Sequence, residues 1–170
     1  MSAPSRKSVS SRKGMKLKSL SLQEKVKVLA RMDAGLGEGY EWHTLEEGLQ
    51  LAQKTGKPLM LIIHKSWCGA CKVFKPKFAA SAAALELSKD FVMVNTIDSE
   101  EPKESKYEPD GGYIPRILFL DSKGEVQSEI YNKNGNPQYK FFYYDDTSVV
   151  ESMRQARELL TTYTHKGNEL

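Results

Sequence analysis

At 170 residues, 39% of them hydrophobic, the chain can bury one full core without disulfide staples and reads as one domain plus a tail. No window approaches the roughly 18 consecutive apolar residues of a membrane span, and no apolar h-region of a secretory signal is read at the N-terminus. The net charge of +3 hides an asymmetry: residues 1–31 hold nine Lys or Arg against Glu24 alone, which leaves the remainder at −5 and mildly acidic.

Residues 1–39 are expected to form a basic, disordered tail and a linker, because Ser, Lys and Arg dominate and no apolar period is sustained. Ser21-Leu22-Gln23-Glu24 suits a helix cap and predicts a short basic helix over 22–32. Membrane-surface, organelle-transit and nucleic-acid-arm readings of this stretch stand beside the plain solvated tail, which is preferred; no nucleic-acid partner and no transmembrane segment are expected. The glycine-rich stretch from Asp33 to Gly39 reads as the linker, so the domain is placed at 40–163, followed by a tail at 164–170.

Thr44-Leu45-Glu46-Glu47 has the form of a capping box and opens a helix that Gly56-Lys57-Pro58 stops. Leu59 to Ile63 is too continuously apolar for a half-exposed strand and belongs mid-sheet, with both faces covered. Val73, Phe74, Phe78, Leu85 and Leu87 suit a helix running to about Ser88, kinked at Pro76. Phe91 to Asn95 is a second buried strand, parallel to the first through a right-handed crossover. An acidic loop rich in Pro and Gly covers 99–112. Ile117 to Leu120 is a third strand, and Asp121-Ser122-Lys123-Gly124 predicts an antiparallel fourth over Glu125 to Tyr131. Asp145 or Asp146 caps a final helix presenting Val149, Val150, Met153, Ala156, Leu159 and Leu160. The sum is an α/β fold with a central mixed sheet.

Chemistry is legible at Trp67-Cys68-Gly69-Ala70-Cys71-Lys72, which holds both cysteines. A thiol attacks only once ionised, and a helix N-terminus favours the thiolate. Cys68 stands there and is expected to attack. Cys71, one turn in and more buried, is expected to resolve the mixed disulfide. A structural zinc site needs about four ligands. Two cysteines with the scattered His43, His64 and His165 do not supply them, so no metal is expected. A disulfide of this spacing closes almost no chain and gains little loop entropy, which disfavours a purely structural bond. His64 and Lys65 either bring positive charge to Cys68 or face water at the strand end. Trp67 is read as shielding the thiolate and contacting substrate in preference to simply covering the core, whereas Tyr113 and Arg116 read as loop surface in preference to a peptide contact.

The motif, the apolar strand before it, Pro76 eight residues after Cys68, and Ile114-Pro115 ahead of the third strand together resemble the thioredoxin superfamily. His64 to Lys72, Gly111-Gly112-Tyr113-Ile114-Pro115-Arg116, Asn134-Gly135-Asn136-Pro137 and the ending Gly167-Asn168-Glu169-Leu170 are similar to the small endoplasmic-reticulum thioredoxins related to the anterior gradient proteins. The resemblance covers about 35–170 and implies a thioredoxin-like fold with helices on both sheet faces. It also implies a thiol-disulfide oxidoreductase without bound cofactor, acting on client proteins with thiols or disulfides and exchanging with glutathione or other disulfide-exchange proteins. Trp67, Ile114 and a cis Pro115 would bind substrate, while Gly69, Ala70, Lys72 and His64 would tune the potential. The last four residues resemble a KDEL retrieval signal, implying the endoplasmic-reticulum lumen, with the cytosol as alternative. One position departs: Ile62 stands where typical thioredoxins and disulfide isomerases carry a buried proton-transferring acid, implying slower turnover. Two function classes follow, an oxidoreductase and, behind it, a client-binding or redox-sensing module with little turnover.

Overall fold

The computed structural model describes residues 21–23 and 34–166, with side chains through 161. The basic stretch 1–20, most of the helix expected over 22–32, and the ending Gly167–Leu170 lie outside the described residues. Four strands form one sheet: β1 (Trp42–His43), β2 (Leu59–His64), β3 (Val92–Ile97) and β4 (Arg116–Leu120), in the order β1-β3-β2-β4. β2 pairs parallel with β3 and antiparallel with β4, which makes it a central strand of a mixed sheet.

Alternation along β2 sends its side chains to two cores. Leu59, Leu61 and Ile63 join Val92, Val94, Leu118 and Leu120 under helix α1 (Leu45–Thr55). Met60 and Ile62 join Phe74, Phe78, Ile117 and Phe119 under α2 (Gly69–Ala79), α3 (Ala82–Leu87) and α4 (Asp146–Lys166). The unbroken apolar run is thus explained by helices on both faces. α1 begins as expected: Thr44 Oγ1 accepts from Glu47 N at 3.1 Å while Thr44 N donates to the Glu47 carboxylate at 3.3 Å. Gly56, at φ 76°, ends it in the left-handed region that favours glycine. Gly48 lets α1 lie close on β3, because an added Cβ would fall 2.2 Å from Val94 Cγ2.

Several local expectations fail for physical reasons. The single helix expected to run to about Ser88 continues through Pro76 but breaks at Ala80–Ser81, where Ser81 Oγ accepts from Ala84 N at 3.2 Å and starts α3. A capping serine five residues past the proline thus fixes the break. The fourth strand is reduced to a bridge between Leu120 and Val126. After Gln127 N donates to Phe119 O the chain turns, Ile130 enters the core, and Phe141 O takes the next place on β4 by accepting from Ile117 N. Two segments thereby share the work of covering that edge. Ala34 and Leu36, inside the stretch read as linker, are buried, Leu36 in the core under α2, whereas Val73, Leu85 and Leu159 stay partly exposed.

Candidate active site

The cysteine motif lies where β2 ends and α2 begins. Cys68 is the N-cap residue of α2, with extended backbone, and its Sγ accepts from Cys71 N at 3.1 Å. A sulfur thus takes the capping role usually given to an oxygen, facing the orphan amide groups of the first turn. Cys68 is bonded to Cys71, with Cα atoms 5.2 Å apart. Cys68 is 5% exposed and Cys71 fully buried, the asymmetry expected of an attacking and a resolving thiol. Trp67 stands 71% exposed beside them, and Gly69 and Lys72 face solvent while Ala70 is half-buried.

The opposite wall is the loop before β4. Ile114-Pro115 is a cis peptide, Pro115 is buried and Ile114 half-buried, and the Ile114 carbonyl oxygen lies 3.8 Å from Cys68 Sγ. The sequence-predicted Cys68, Cys71, Trp67, Ile114 and Pro115 therefore meet at one place. Tyr113 props this wall: its hydroxyl contacts Asp110 and accepts from Phe141 N, and its ring meets Tyr139 edge-on. Burial and the Asp110 carboxylate both push the Tyr113 hydroxyl pKa up.

Beneath the motif the expected charge is missing. His64 is 1% exposed, on the same face of β2 as Ile62, and its Nε2 lies 3.1 Å from Asn95 Oδ1. Burial first, then the positive charge of Lys75, lowers its pKa to about 4, so the ring is neutral at neutral pH. His64 Nδ1 and Asn95 Nδ2 are buried without a protein partner. Neither of the two readings of His64, cation or water-facing residue, matches this position: the strand covers it completely. Lys65 is engaged elsewhere, with Nζ 2.7 Å from Asp98 O and 2.5 Å from Glu101 Oε2.

Arg116, read as loop surface, is wholly buried. Its Nε donates to Tyr107 O at 3.1 Å, Nη1 to Tyr113 O at 2.8 Å, and Nη2 to Glu101 Oε1 at 3.0 Å. Burial raises the Glu101 pKa, but hydrogen bonds from Lys65 and Arg116 outweigh it and hold the carboxyl below its ordinary range. Asp98, at φ 54°, accepts from both Ser66 N and Ser66 Oγ, and the backbone hydrogen bond chiefly lowers its pKa. Glu101, Asp98 and Asn95 were missed by sequence reasoning. The available signal was an arginine opening the otherwise apolar run Arg116-Ile117-Leu118-Phe119-Leu120 just after an acid-rich loop. Among the described residues, no group of three or more His, Cys, Asp or Glu is arranged to hold a metal ion. No helix among them is long and apolar enough to cross a membrane.

A family model described as thioredoxin-like matches residues 41–122, which span all four strands and the cysteine motif. Anterior gradient protein 1 of Xenopus laevis is 35% identical over 140 residues, covering 81% of this chain and 75% of that protein. Anterior gradient protein 3 of Homo sapiens is 34% identical over 131 residues, covering 76% and 78%. A solved structure of a putative disulphide-isomerase from Bacteroides thetaiotaomicron superposes with a TM-score of 0.52 at 22% identity, covering 72% of this chain and 94% of its own, and shows the shared fold. With the sheet order, the cis proline facing the bonded cysteines and this degree of identity, the chain belongs to the anterior gradient family of thioredoxin-like proteins.

Proposed function

We propose that the protein is a thiol-disulfide oxidoreductase acting on protein substrates, with Cys68 as attacking thiolate and Cys71 as resolving thiol. The observation that carries this reading is the position of Cys68 Sγ, capping α2 and lying 3.8 Å from the Ile114 carbonyl oxygen. In the reducing direction, the Cys68 thiolate attacks one sulfur of a client disulfide and the other sulfur leaves as a thiolate that takes a proton. Cys71 then gives up its proton and attacks Cys68 Sγ. The mixed bond breaks, the second client sulfur leaves, and two electrons have passed to the client as the Cys68–Cys71 bond forms. The bonded pair runs the same steps backwards on a client dithiol.

Trp67, Ile114 and Pro115 are the residues a client chain meets, since they surround Cys68 on its open side. Gly69, Ala70, Lys72 and His64 set the potential around the pair, His64 as a neutral group. The clients are proteins with thiols or disulfides, with glutathione or another exchange protein restoring the pair, and no bound cofactor enters the chemistry. The working compartment is the endoplasmic-reticulum lumen, supported by the anterior gradient relatives and by Gly167–Leu170.

Insulin reduction tests this directly. Wild type is expected to outpace Cys68→Ser and Cys71→Ser clearly, and a wild type no faster than either variant overturns the reading. The reduction potential then assigns direction: about −180 mV suits an oxidative folding compartment and about −270 mV a reductant. The apolar Ile62 favours a second reading, a client-binding or redox-sensing module with little turnover, because no carboxylate stands beneath the pair at that position. Mixed disulfides that accumulate on wild type during insulin reduction would favour it.

A further inference from the structure

Both walls of the site are tied to one carboxylate. Glu101 sends Oε1 to Arg116, the residue after Pro115, and Oε2 to Lys65, three residues before Cys68. Arg116 fastens the far wall at two further points, the carbonyls of Tyr113 and Tyr107. The near wall is fastened by Lys65 to Asp98 O and by Ser66 to the Asp98 carboxylate, and Glu101 N donates back to Asp98 O at 3.4 Å. The 98–101 turn is therefore a bracket between the loop carrying Cys68 and the loop carrying Pro115.

Stability does not account for this arrangement. Taking a guanidinium wholly out of water is costly, and a buried ion pair is often no better than apolar residues of similar volume. Arg116 opens a strand whose other four residues are apolar and fully buried, so an apolar residue would continue the pattern. A buried pair does fix geometry, because a planar guanidinium holding three acceptors leaves its loop a single arrangement.

We infer that Lys65, Glu101 and Arg116 are positioning residues that set the width of the slot between Cys68 and Ile114-Pro115, and that this width selects an extended client chain over a small disulfide. The inference rests on the disulfide-exchange reading above. Removing the Glu101 charge frees the two loops from each other. A client segment spanning both walls then binds less well, while attack on a compact disulfide needs only Cys68 and is spared.

The full-length protein is assayed with insulin and with glutathione disulfide. Glu101→Gln and Lys65→Met are expected to raise KM for insulin about tenfold, the worth of one charge-assisted hydrogen bond. kcat on insulin and the rate with glutathione disulfide should stay within about twofold, since a tenfold change corresponds to one such bond. Lys65→Arg, which keeps the charge, should restore the KM. Unchanged KM in both charge-removing variants overturns the inference, and so does an equal loss on both substrates, which would mark general damage to the thiol pair. Arg116→Met deletes a wholly buried group, so the two less buried positions carry the test if that variant does not fold. The slot is also read without catalysis: in the reduced protein, the rate of Cys68 alkylation by a bulky maleimide relative to iodoacetamide should rise severalfold in Glu101→Gln. An unchanged ratio overturns the inference even if wild type fails to reduce insulin, a failure that would by itself overturn only the exchange reading.

Discussion

β2 passes through two environments within six residues. From Leu59 to Ile63 every side chain is buried against apolar neighbours on both sheet faces, whereas one residue later His64 is just as buried but faces Asn95. Beyond it, Lys65, Asp98, Glu101 and Arg116 crowd the sheet's end with charge. Equal burial therefore means different things at the two ends. The apolar centre supplies free energy of folding, at roughly 25 cal/mol per Å² removed from water. The polar end contributes little net stability and instead fixes the orientation of groups around the cysteines.

The sharpest way to separate the two regions is to damage each alone. Phe78 is fully buried, stacks on Tyr40 and Phe74, and lies in α2 about two turns beyond Cys71. Phe78→Ala is expected to cost about 3–5 kcal/mol, read by urea unfolding, with activity falling only as the folded fraction falls. If it changed activity in the fully folded protein, the separation would break down.

A slightly smaller effect belongs to the polar end and depends on pH. The folded pKa of His64, about 4, lies below the ordinary 6.5. As pH falls, the unfolded chain takes the proton first, so stability is present above about 6.5, lost between about 6.5 and 4, and flat below. The full loss is roughly 3 kcal/mol, from the size of the shift. His64→Leu should remove this slope, seen as a difference from wild type in melting curves between pH 4 and 7. A parallel pair of curves would mean that His64 is not neutral in the folded state.

Gly48→Ala tests the centre from the other face. The added Cβ meets a buried Val94, and overpacking of this kind costs about 1–3 kcal/mol. A loss below that range would show that α1 can lift from β3. The smallest effect is at the N-cap of α1: Thr44→Ala removes one half of the capping box and should cost about 1 kcal/mol in chemical denaturation, with insulin reduction unaltered.

How much of this was legible in the sequence follows from where each signal lies along the chain. The capping box at Thr44, the glycine stop at Gly56, the covered strand from Leu59 and the helix N-terminus at Cys68 are local, and each is determined by residues within one or two turns of itself. The pairing of Ile114-Pro115 with the cysteines came through family resemblance, since nothing within either stretch refers to the other. The turn at Asp121 to Gly124 pointed to a strand over Glu125 to Tyr131, but Phe141 competes for the same edge from outside the window.

What only the tertiary structure decided is the fate of the charges. A lysine, a glutamate and an arginine at positions 65, 101 and 116 read as surface residues because each, taken singly, is cheapest in water. Folding brings them together across separations of 15 and more residues, and only as a set do they satisfy one another below the surface. Hydrophobic pattern is a sum over single residues and can be read along the chain. Burial of charge depends on partners, and partners at this distance exist only once the sheet has formed.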